Sequence, residues 1–423
     1  MILSKGVLHA VTFGGLADVT IYEMEHIFEL NKQNRQIKYQ HRRLNWEEHV
    51  KMLRHTNNFQ SRYHMSEPTF NKLVRLLRDD VTVDEIRSRA STEGNAPIYP
   101  ELIAGAGLRF LGGADNASIS EIFGISDSST LRIINMFLNA VIGCDALSLV
   151  VPVSHDALLK GAHDFNNISG CGLYFGVVGA IDGWLCCTDR PSDVTNATDY
   201  YSGHYQRFGI NVQAMCDANL RFIYVGTAAP GSTNDNRAFS RCLLLRRWID
   251  TLSNEFFIIG DGAYVVSNRI LIPYSGAQKH TTYKRTYNFY LSQLRIRIEM
   301  AFGRLTTKWR IFRRNLNFST NKNSQIVQVA CRLHNFVINN DNIAYTHLNQ
   351  NSNLSQWQVD PLDDGPEYNR GYLSTRPARP VECVIENSRR TLILNEIVSS
   401  DIRRPDHNKK RNRELDYDTD YDD

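Results

Sequence analysis

From Phe208 to Asp217 the residues alternate, with Ile210, Val212, Ala214 and Cys216 on one side and Asn211, Gln213 and Met215 on the other. A period of two is the signature of a strand whose two faces meet different surroundings. The run breaks at Asp217-Ala218-Asn219, and Arg221-Phe222-Ile223-Tyr224-Val225-Gly226 follows as a second strand-like run. The pair predicts a hairpin. Tyr174 to Asp182 before it and Glu255 to Gly260 after it are further strand-like runs, and helical patterns flank the region on both sides in sequence. Such a mixture predicts an α/β or α+β class with a central sheet.

The rest of the chain divides around that region. Residues 1–80 read as an accessory helical region: from Ile21 to Leu77 the pattern is helical, with Ser66 before Glu67-Pro68 as a helix start and Phe70, Leu73, Val74 and Leu77 on one face. Residues 81–170 read as a second helical region. In it Leu102 to Leu111, Ala117 to Phe123, the turn Gly124-Ile125-Ser126 and Ser128 to Leu138 have the shape of a helix-turn-helix or of an ordinary helical hairpin. The recognition helix of such a motif would offer Asp127, Ser128, Ser129 and Arg132, a weak attractor of phosphate. Residues 171–340 hold the strand-rich domain, closed by a helix over Ser324 to Ile338. Residues 341–423 read as a loose tail with a short helix near Arg389 to Val398, then a basic block (Arg403 to Arg413) and an acidic one (Glu414 to Asp423).

At 423 residues with a formal net charge of +3, whole-chain charge makes no case for nucleic acid, so any such case rests on local clustering. The eight cysteines form no C-x-x-C pair, which speaks against a zinc ribbon or a disulfide framework and for a reducing compartment. No apolar run reaches the roughly 18 residues of a membrane span, and the start lacks a signal-peptide pattern. A soluble, intracellular protein is expected.

Four acids stand out in the central third: Asp182, Asp235, Asp261 and Glu299. Asp182 reads as the end of a strand, Asp235 follows the turn Pro230-Gly231-Ser232-Thr233-Asn234, Asp261 follows the run Phe256 to Gly260, and Glu299 lies on a helix beside the stripe Leu294, Ile298, Phe302 and Leu305. A carboxylate ending an apolar run loses hydration on folding and needs a partner. A divalent cation is such a partner, and two hard cations about 3.5–4 Å apart, held by oxygen ligands, are what phosphodiester chemistry demands. Each acid also has a plainer reading. Asp182 and Asp261 suit turns, Asp235 suits a helix cap, and Glu299 suits an ion pair with Arg295 one turn earlier. Gly303, in mid-helix, suggests close approach by the sheet.

The segments Gly179-Ala180-Ile181-Asp182-Gly183, Asn211-Val212-Gln213-Ala214, Pro230-Gly231-Ser232-Thr233-Asn234-Asp235, Gly260-Asp261-Gly262-Ala263-Tyr264, Ile298-Glu299-Met300-Ala301-Phe302-Gly303 and Leu333-His334-Asn335-Phe336 resemble, in that order, the signature blocks of PIF/Harbinger-type DDE transposases and the nucleases derived from them. The resemblance runs from about Glu101 to Phe336. It implies an RNase H-like mixed-sheet catalytic core, Mg2+ or Mn2+ (two ions) as cofactor, and cleavage and joining of DNA strands. By motif, Asp182, Asp235 and Glu299 would be the catalytic triad, with Asp261 a further metal ligand. Trp184 departs from the small polar residue that many members carry, which would alter packing at that end of the strand.

After Glu299 come Arg304, Lys308, Arg310, Arg313 and Arg314, interleaved with Trp309 and Phe312. This is the best local case for nucleic-acid contact; a solvated helix end is the plainer alternative. The resemblance further implies a Myb-like partner protein; the inferred DNA substrate, with Arg403 to Arg413 readable as an import patch, points to the nucleus, with the cytoplasm also open. An oligomer is open and no membrane role is expected. Two functions follow for testing: a divalent-metal DNA nuclease or transposase, and a domesticated DNA-binding or adaptor protein that keeps the fold without cleavage. A metal-dependent hydrolase of small phosphoesters is a third.

Overall fold

The computed structural model describes residues 8–12, 15–19, 42–86, 97–276, 281–341 and 388–404. The chain forms two compact units, Met1–Ala140 and Val141–Asp423.

The first unit opens with an antiparallel hairpin of β1 (Leu8–Thr12) and β2 (Gly15–Val19), in a stretch where the sequence suggested no strand. Helices follow at Trp46–His55, Phe59–Tyr63, Glu67–Val81, Pro100–Leu111 and Asn116–Phe123, and the helix Asp127–Gly143 begins here. Of the basic residues in the helical pattern before Trp46, Lys32, Arg35 and Lys38 lie outside the described residues, while Arg43 donates to the Gly124 carbonyl at 2.9 Å. Ser66 accepts from the Thr69 amide at 3.4 Å and caps the Glu67 helix, whose Phe70, Leu73, Val74 and Leu77 are buried as their spacing predicts. The helix Asn116–Phe123 ends at Gly124, whose φ of +59° suits glycine, and a Cβ there would lie 2.2 Å from the Arg42 carbonyl oxygen. Ser126 then accepts from the Ser129 amide at 3.3 Å and starts the next helix.

The second unit carries a central sheet built from β3 (Val177–Cys187), β4 (Tyr201–Ser202), β5 (Arg207–Cys216), β6 (Phe222–Pro230), β7 (Phe257–Ile259) and β8 (Ile270–Leu271). Its order is β6-β5-β3-β7-β8, with short β4 against the start of β5. The pairs β6/β5 and β5/β3 are antiparallel; β3/β7 and β7/β8 are parallel. The class is therefore mixed α and β, as the patterning predicts.

Both faces are covered, so β5 is buried from Gly209 to Cys216 without alternation. On one face Ile181 and Met215 join Leu158 and Ala162 of the helix His155–Ile168 and Leu245, Trp248 and Ile249 of the helix Leu243–Thr251 in one core. The opposite face receives the helix Thr282–Lys308, through buried Leu294, Ile298, Ala301 and Leu305, and the helix Thr320–Asn340. Gly303 has no atom within 4 Å of where a Cβ would stand, so the expected close approach of the sheet does not occur there. The helix Ser388–Ser399 docks against the long helix with Ile393 and Ile397 buried, and Arg389 reaches the Asn268 carbonyl at 3.0 Å.

His334 and Asn335 fasten the Thr320–Asn340 helix to β6. His334 Nε2 donates to the Leu220 carbonyl at 2.9 Å, and Asn335 exchanges two hydrogen bonds with the Phe222 backbone. Burial, with help from Lys308 and Arg304, lowers the His334 pKa to about 4, and Nδ1 has no hydrogen-bond partner to receive a second proton. The folded imidazole is thus neutral, and its contribution is complete above the ordinary histidine pKa and lost as pH falls toward 4. Between pH 7 and 4 the wild type should lose on the order of 3 kcal/mol more stability than His334→Gln, read by urea unfolding at both pH values. Equal losses would refute the assignment.

Candidate active site

Asp182 lies in mid-strand rather than at a strand end: β3 runs on through Gly183 to Cys187, held by β5 pairing. Side chains alternate along a strand, so Asp182 and Trp184 point to the long-helix face while Ile181 and the bare Gly183 point to the other. The contacts agree. Arg295 Nη1 sits 3.5 Å from Asp182 Oδ2, and the Trp184 ring lies 5.7 Å from Phe302 and 5.3 Å from Phe312. This aromatic trio is what Trp184 contributes.

The register carries Asp261 to the same place. Ala180 pairs with Ile259 across the parallel β3/β7 ladder, so two residues further on each strand Asp261 comes beside Asp182. The turn that holds Asp261 is closed by the Ala263 amide donating to its Oδ1 at 2.8 Å. Glu299 completes the group from the long helix, where Arg295 Nη2 donates to its Oε1 at 2.7 Å. Arg295 therefore bridges Asp182 and Glu299. The pKa of Asp182 is raised to about 7, first by burial and then by the charge of Asp261; the Gly183 amide and Arg295 oppose the rise, and Glu299 adds to it.

Asp235 is placed differently. It is the first residue of the helix Asp235–Ser240, and the cap is Asn234, which accepts from the Arg237 amide at 2.9 Å. Its carboxylate lies over Gly183, where a Cβ would come 2.0 Å from Asp235 Oδ1. That is the face opposite Asp182. There Oδ1 accepts from Asn211 Nδ2 at 3.0 Å and from Gln213 Nε2 at 3.1 Å. The motif order pairs Asp235 with Asp182 and makes Asp261 an addition, whereas the sheet makes Asp261 the lateral neighbour of Asp182.

Gln213 and Tyr264 stand in the motif blocks, but the sequence assigns them no role in the site. Gln213 is 1% exposed, and its Oε1 accepts from the Tyr264 hydroxyl at 2.7 Å. Local pattern carries no signal for them, because a glutamine on the polar side of an alternating strand reads as facing solvent, whereas β5 is covered on both sides.

The basic segment splits in two. Arg310, Arg313 and Arg314 are exposed around a 3-10 turn, Arg310–Arg313, whose Phe312 rests on Trp184. Arg304 and Lys308 are half-buried; at 100° per residue they stand roughly 140° and 180° around the helix from Glu299. Burial lowers the Lys308 pKa while Asp341 opposes the fall, so Lys308 faces the Thr320–Asn340 helix. His204 is exposed in a turn, its ring 4.6 Å from Tyr205. The buried Cys186 thiol is pushed up by desolvation, as is that of half-buried Cys187, which leaves neither activated as a nucleophile.

Among the described residues no three His, Cys, Asp or Glu side chains converge closely enough, as placed, to hold a metal ion. The donor set nonetheless fits one. Asp182, Asp261 and Glu299 offer only carboxylate oxygens, which hard cations prefer; Asp182 is burdened by its acidic neighbours, and Arg295 bridges two of the acids.

Residues 181–335 match the model of the DDE superfamily endonuclease family. Among curated proteins, "Protein ALP1-like" of Arabidopsis thaliana is 26% identical over 296 residues, covering 66% of this chain and 70% of that protein. "Putative nuclease HARBI1" of Xenopus laevis is 24% identical over 284 residues, covering 66% of this chain and 77% of that protein. Its Homo sapiens counterpart is 24% identical over 268 residues, covering 62% and 72%. No solved structure matches the chain. The resemblance drawn from the six motif blocks is borne out, and the matched segment contains all four acids.

Proposed function

We propose, taking the similarity over residues 181–335 as premise, that this chain is a divalent-metal-dependent DNA nuclease of transposase descent whose ions are held by Asp182, Asp261 and Glu299. The observation that carries the reading is the placement of these three about one sheet face, Asp261 beside Asp182 by the β3/β7 register and Glu299 joined to Asp182 through Arg295, with the charges of Asp261 and Glu299 both acting on Asp182. The strand order supports an RNase H-like core: three antiparallel strands (β3, β5, β6) on one side, then β7 and β8 parallel to β3. Use of divalent ions is general to the endonuclease family matched. When bound, two ions supply an activated water or 3′-hydroxyl and charge stabilisation at phosphorus.

The chain's own residues do the rest. Asp182 must be ionised to serve, so ion uptake strengthens as pH rises through about 7. Arg295 neutralises Asp182 and Glu299 in the meantime, and its release frees both carboxylates. Trp184, wedged between Phe302 and Phe312, ties the exposed Arg310, Arg313 and Arg314 to the strand of Asp182, and we assign these three to backbone phosphates. Arg304 and Lys308 are assigned a part in holding the Thr320–Asn340 helix. The turn at Gly124 supports a helix-turn-helix use of the two helices around it. Their poor basicity fits a Myb-like partner that brings DNA binding and carries the protein to the nucleus. Among the described residues no helix is long and apolar enough to cross a membrane.

The separation of the carboxylates as placed favours one other reading, a DNA-binding or adaptor protein that retains the fold without cleavage. Supercoiled plasmid with about 5 to 10 mM Mn2+ or Mg2+, an excess over the roughly millimolar dissociation constants of the weaker hard-cation sites, separates the two. Nicking by wild type that EDTA and Asp182→Asn both abolish supports the nuclease; salt-sensitive binding with no nicking supports the adaptor.

A further inference from the structure

We infer that Asp235, Gln213 and Tyr264 form a positioning bridge on the far side of β3, fixing the turn that carries Asp261, so that Gln213 and Tyr264 govern ion affinity without touching an ion. This rests on the nuclease reading and adds positioning residues to it.

A glutamine side chain has one carbonyl acceptor and an amide with two donor hydrogens. In Gln213 all are engaged: Oε1 accepts from the Tyr264 hydroxyl at 2.7 Å, while Nε2 donates to Asp235 Oδ1 at 3.1 Å and to Asn211 Oδ1 at 2.8 Å. Asp235 Oδ1 takes donors, here the amides of Asn211 and Gln213, so it holds the Gln213 nitrogen on its side; that leaves the carbonyl for the Tyr264 hydroxyl, which could itself have met either group. Asn211 fixes the other end by donating to the same Oδ1 and to the Thr233 carbonyl at 2.8 Å. The line from Asp235 to Tyr264 therefore has one arrangement.

Tyr264 transmits that arrangement to Asp261. It lies three residues after Asp261 and is 2% exposed, and its amide returns to the Asp261 carbonyl while the Ala263 amide holds the Asp261 carboxylate. The turn is thus closed at both ends, and a ring fixed at Tyr264 fixes where Asp261 leaves β7. A second contact runs in parallel: Phe239, on the helix that Asp235 begins, meets the Tyr264 ring edge-on at 5.6 Å. Two glycines make the room. A Cβ on Gly183 would collide with Asp235 and Gln213, and one on Gly260 would come 2.8 Å from the Tyr264 ring. Both missing side chains belong to the motif blocks that carry Asp182 and Asp261.

A satisfied buried network would also stabilise the core, so stability alone cannot separate the two roles. Ion affinity can. Outer-sphere partners are worth about 10–100-fold in metal affinity, and Tyr264→Phe removes one oxygen while keeping the ring. Calorimetric Mn2+ titration of the full chain should show affinity at least about ten-fold weaker for Tyr264→Phe and for Gln213→Leu. The double variant should be no weaker than the weaker single one, since both cut the same line. Asp235→Asn, which keeps an oxygen for the two amides, should weaken binding less than Asp261→Asn. Should Gln213→Leu fail to fold, Tyr264→Phe and Asp235→Asn decide. Variants that melt lower yet bind Mn2+ as wild type does, or an Asp235→Asn as damaging as Asp261→Asn, overturn the bridge alone. A wild type that takes up no Mn2+ overturns the nuclease reading and the bridge with it.

Discussion

Asp182→Asn, Asp261→Asn and Glu299→Gln are each expected to lower Mn2+-dependent plasmid nicking by about a thousand-fold or more while leaving the protein folded. The magnitude follows from what the bound ions contribute, several kcal/mol of charge stabilisation, with each 1.36 kcal/mol a factor of about ten in rate. Folding should survive because none of the three acids is a keystone. Replacing Asp182 by the neutral amide removes its repulsion with Asp261 and Glu299, and Glu299 is 47% exposed. Without divalent ions, Asp182→Asn should melt at or above the wild-type temperature at pH 8, because the wild-type carboxylate is ionised there against its neighbours. The sign follows from linkage: a carboxyl whose folded pKa is raised to about 7 stabilises below its ordinary range, and that contribution is lost as pH rises through about 7. Nicking rates and melting curves with EDTA check both halves. A variant that nicks like wild type removes that residue from the site.

Gly183→Ala is the second large effect. Its Cβ would stand 2.0 Å from Asp235 Oδ1 and 2.7 Å from both Asp235 Cγ and Gln213 Nε2. Neither neighbour is a loose chain end: Gln213 is held by three hydrogen bonds and Asp235 by two amides. Either β3 shifts, and Asp182 with it, or the Asp235 helix is pushed off. Overpacking of this kind costs about 1–3 kcal/mol, and nicking should fall with it because the displaced strand carries Asp182. Gly303→Ala is the control. Its Cβ meets nothing within 4 Å, so the alanine should stabilise the long helix by up to about 1 kcal/mol and leave nicking unchanged. Urea unfolding of the two variants should give opposite signs, and equal small changes if β3 is not tightly covered.

The hairpin of β5 and β6 was legible because period and turn agree, and the Thr320–Asn340 helix because its apolar spacing is local. The long helix was less so. It begins at Thr282, well before the apolar stripe suggests, because Tyr287 and Tyr290 are buried there and the helix Ser388–Ser399, remote in sequence, packs against it. The end of β3 is not legible at Asp182, because a glycine after an aspartate reads as a turn, whereas pairing of Gly183 with Gln213 and Trp184 with Val212 carries the strand through. The four acids could be found by type and order, but not their faces. Whether Asp235 or Asp261 stands beside Asp182 depends on the β3/β7 register and on the room that the bare Gly183 leaves on the far face, and neither is written in local pattern. The network of Gln213 was hidden for the same reason: alternation suggests one wet face on β5, and helices from distant parts of the chain cover both.

Anomalous diffraction from a crystal soaked in Mn2+ tests the central claim most directly. A peak is expected within about 2.0–2.4 Å of carboxylate oxygens from Asp182 and Asp261, with Glu299 turned toward it and Arg295 drawn away. A peak held by Asp235 apart from Asp261, or no peak while Arg295 still bridges Asp182 and Glu299 at saturating Mn2+, would contradict it.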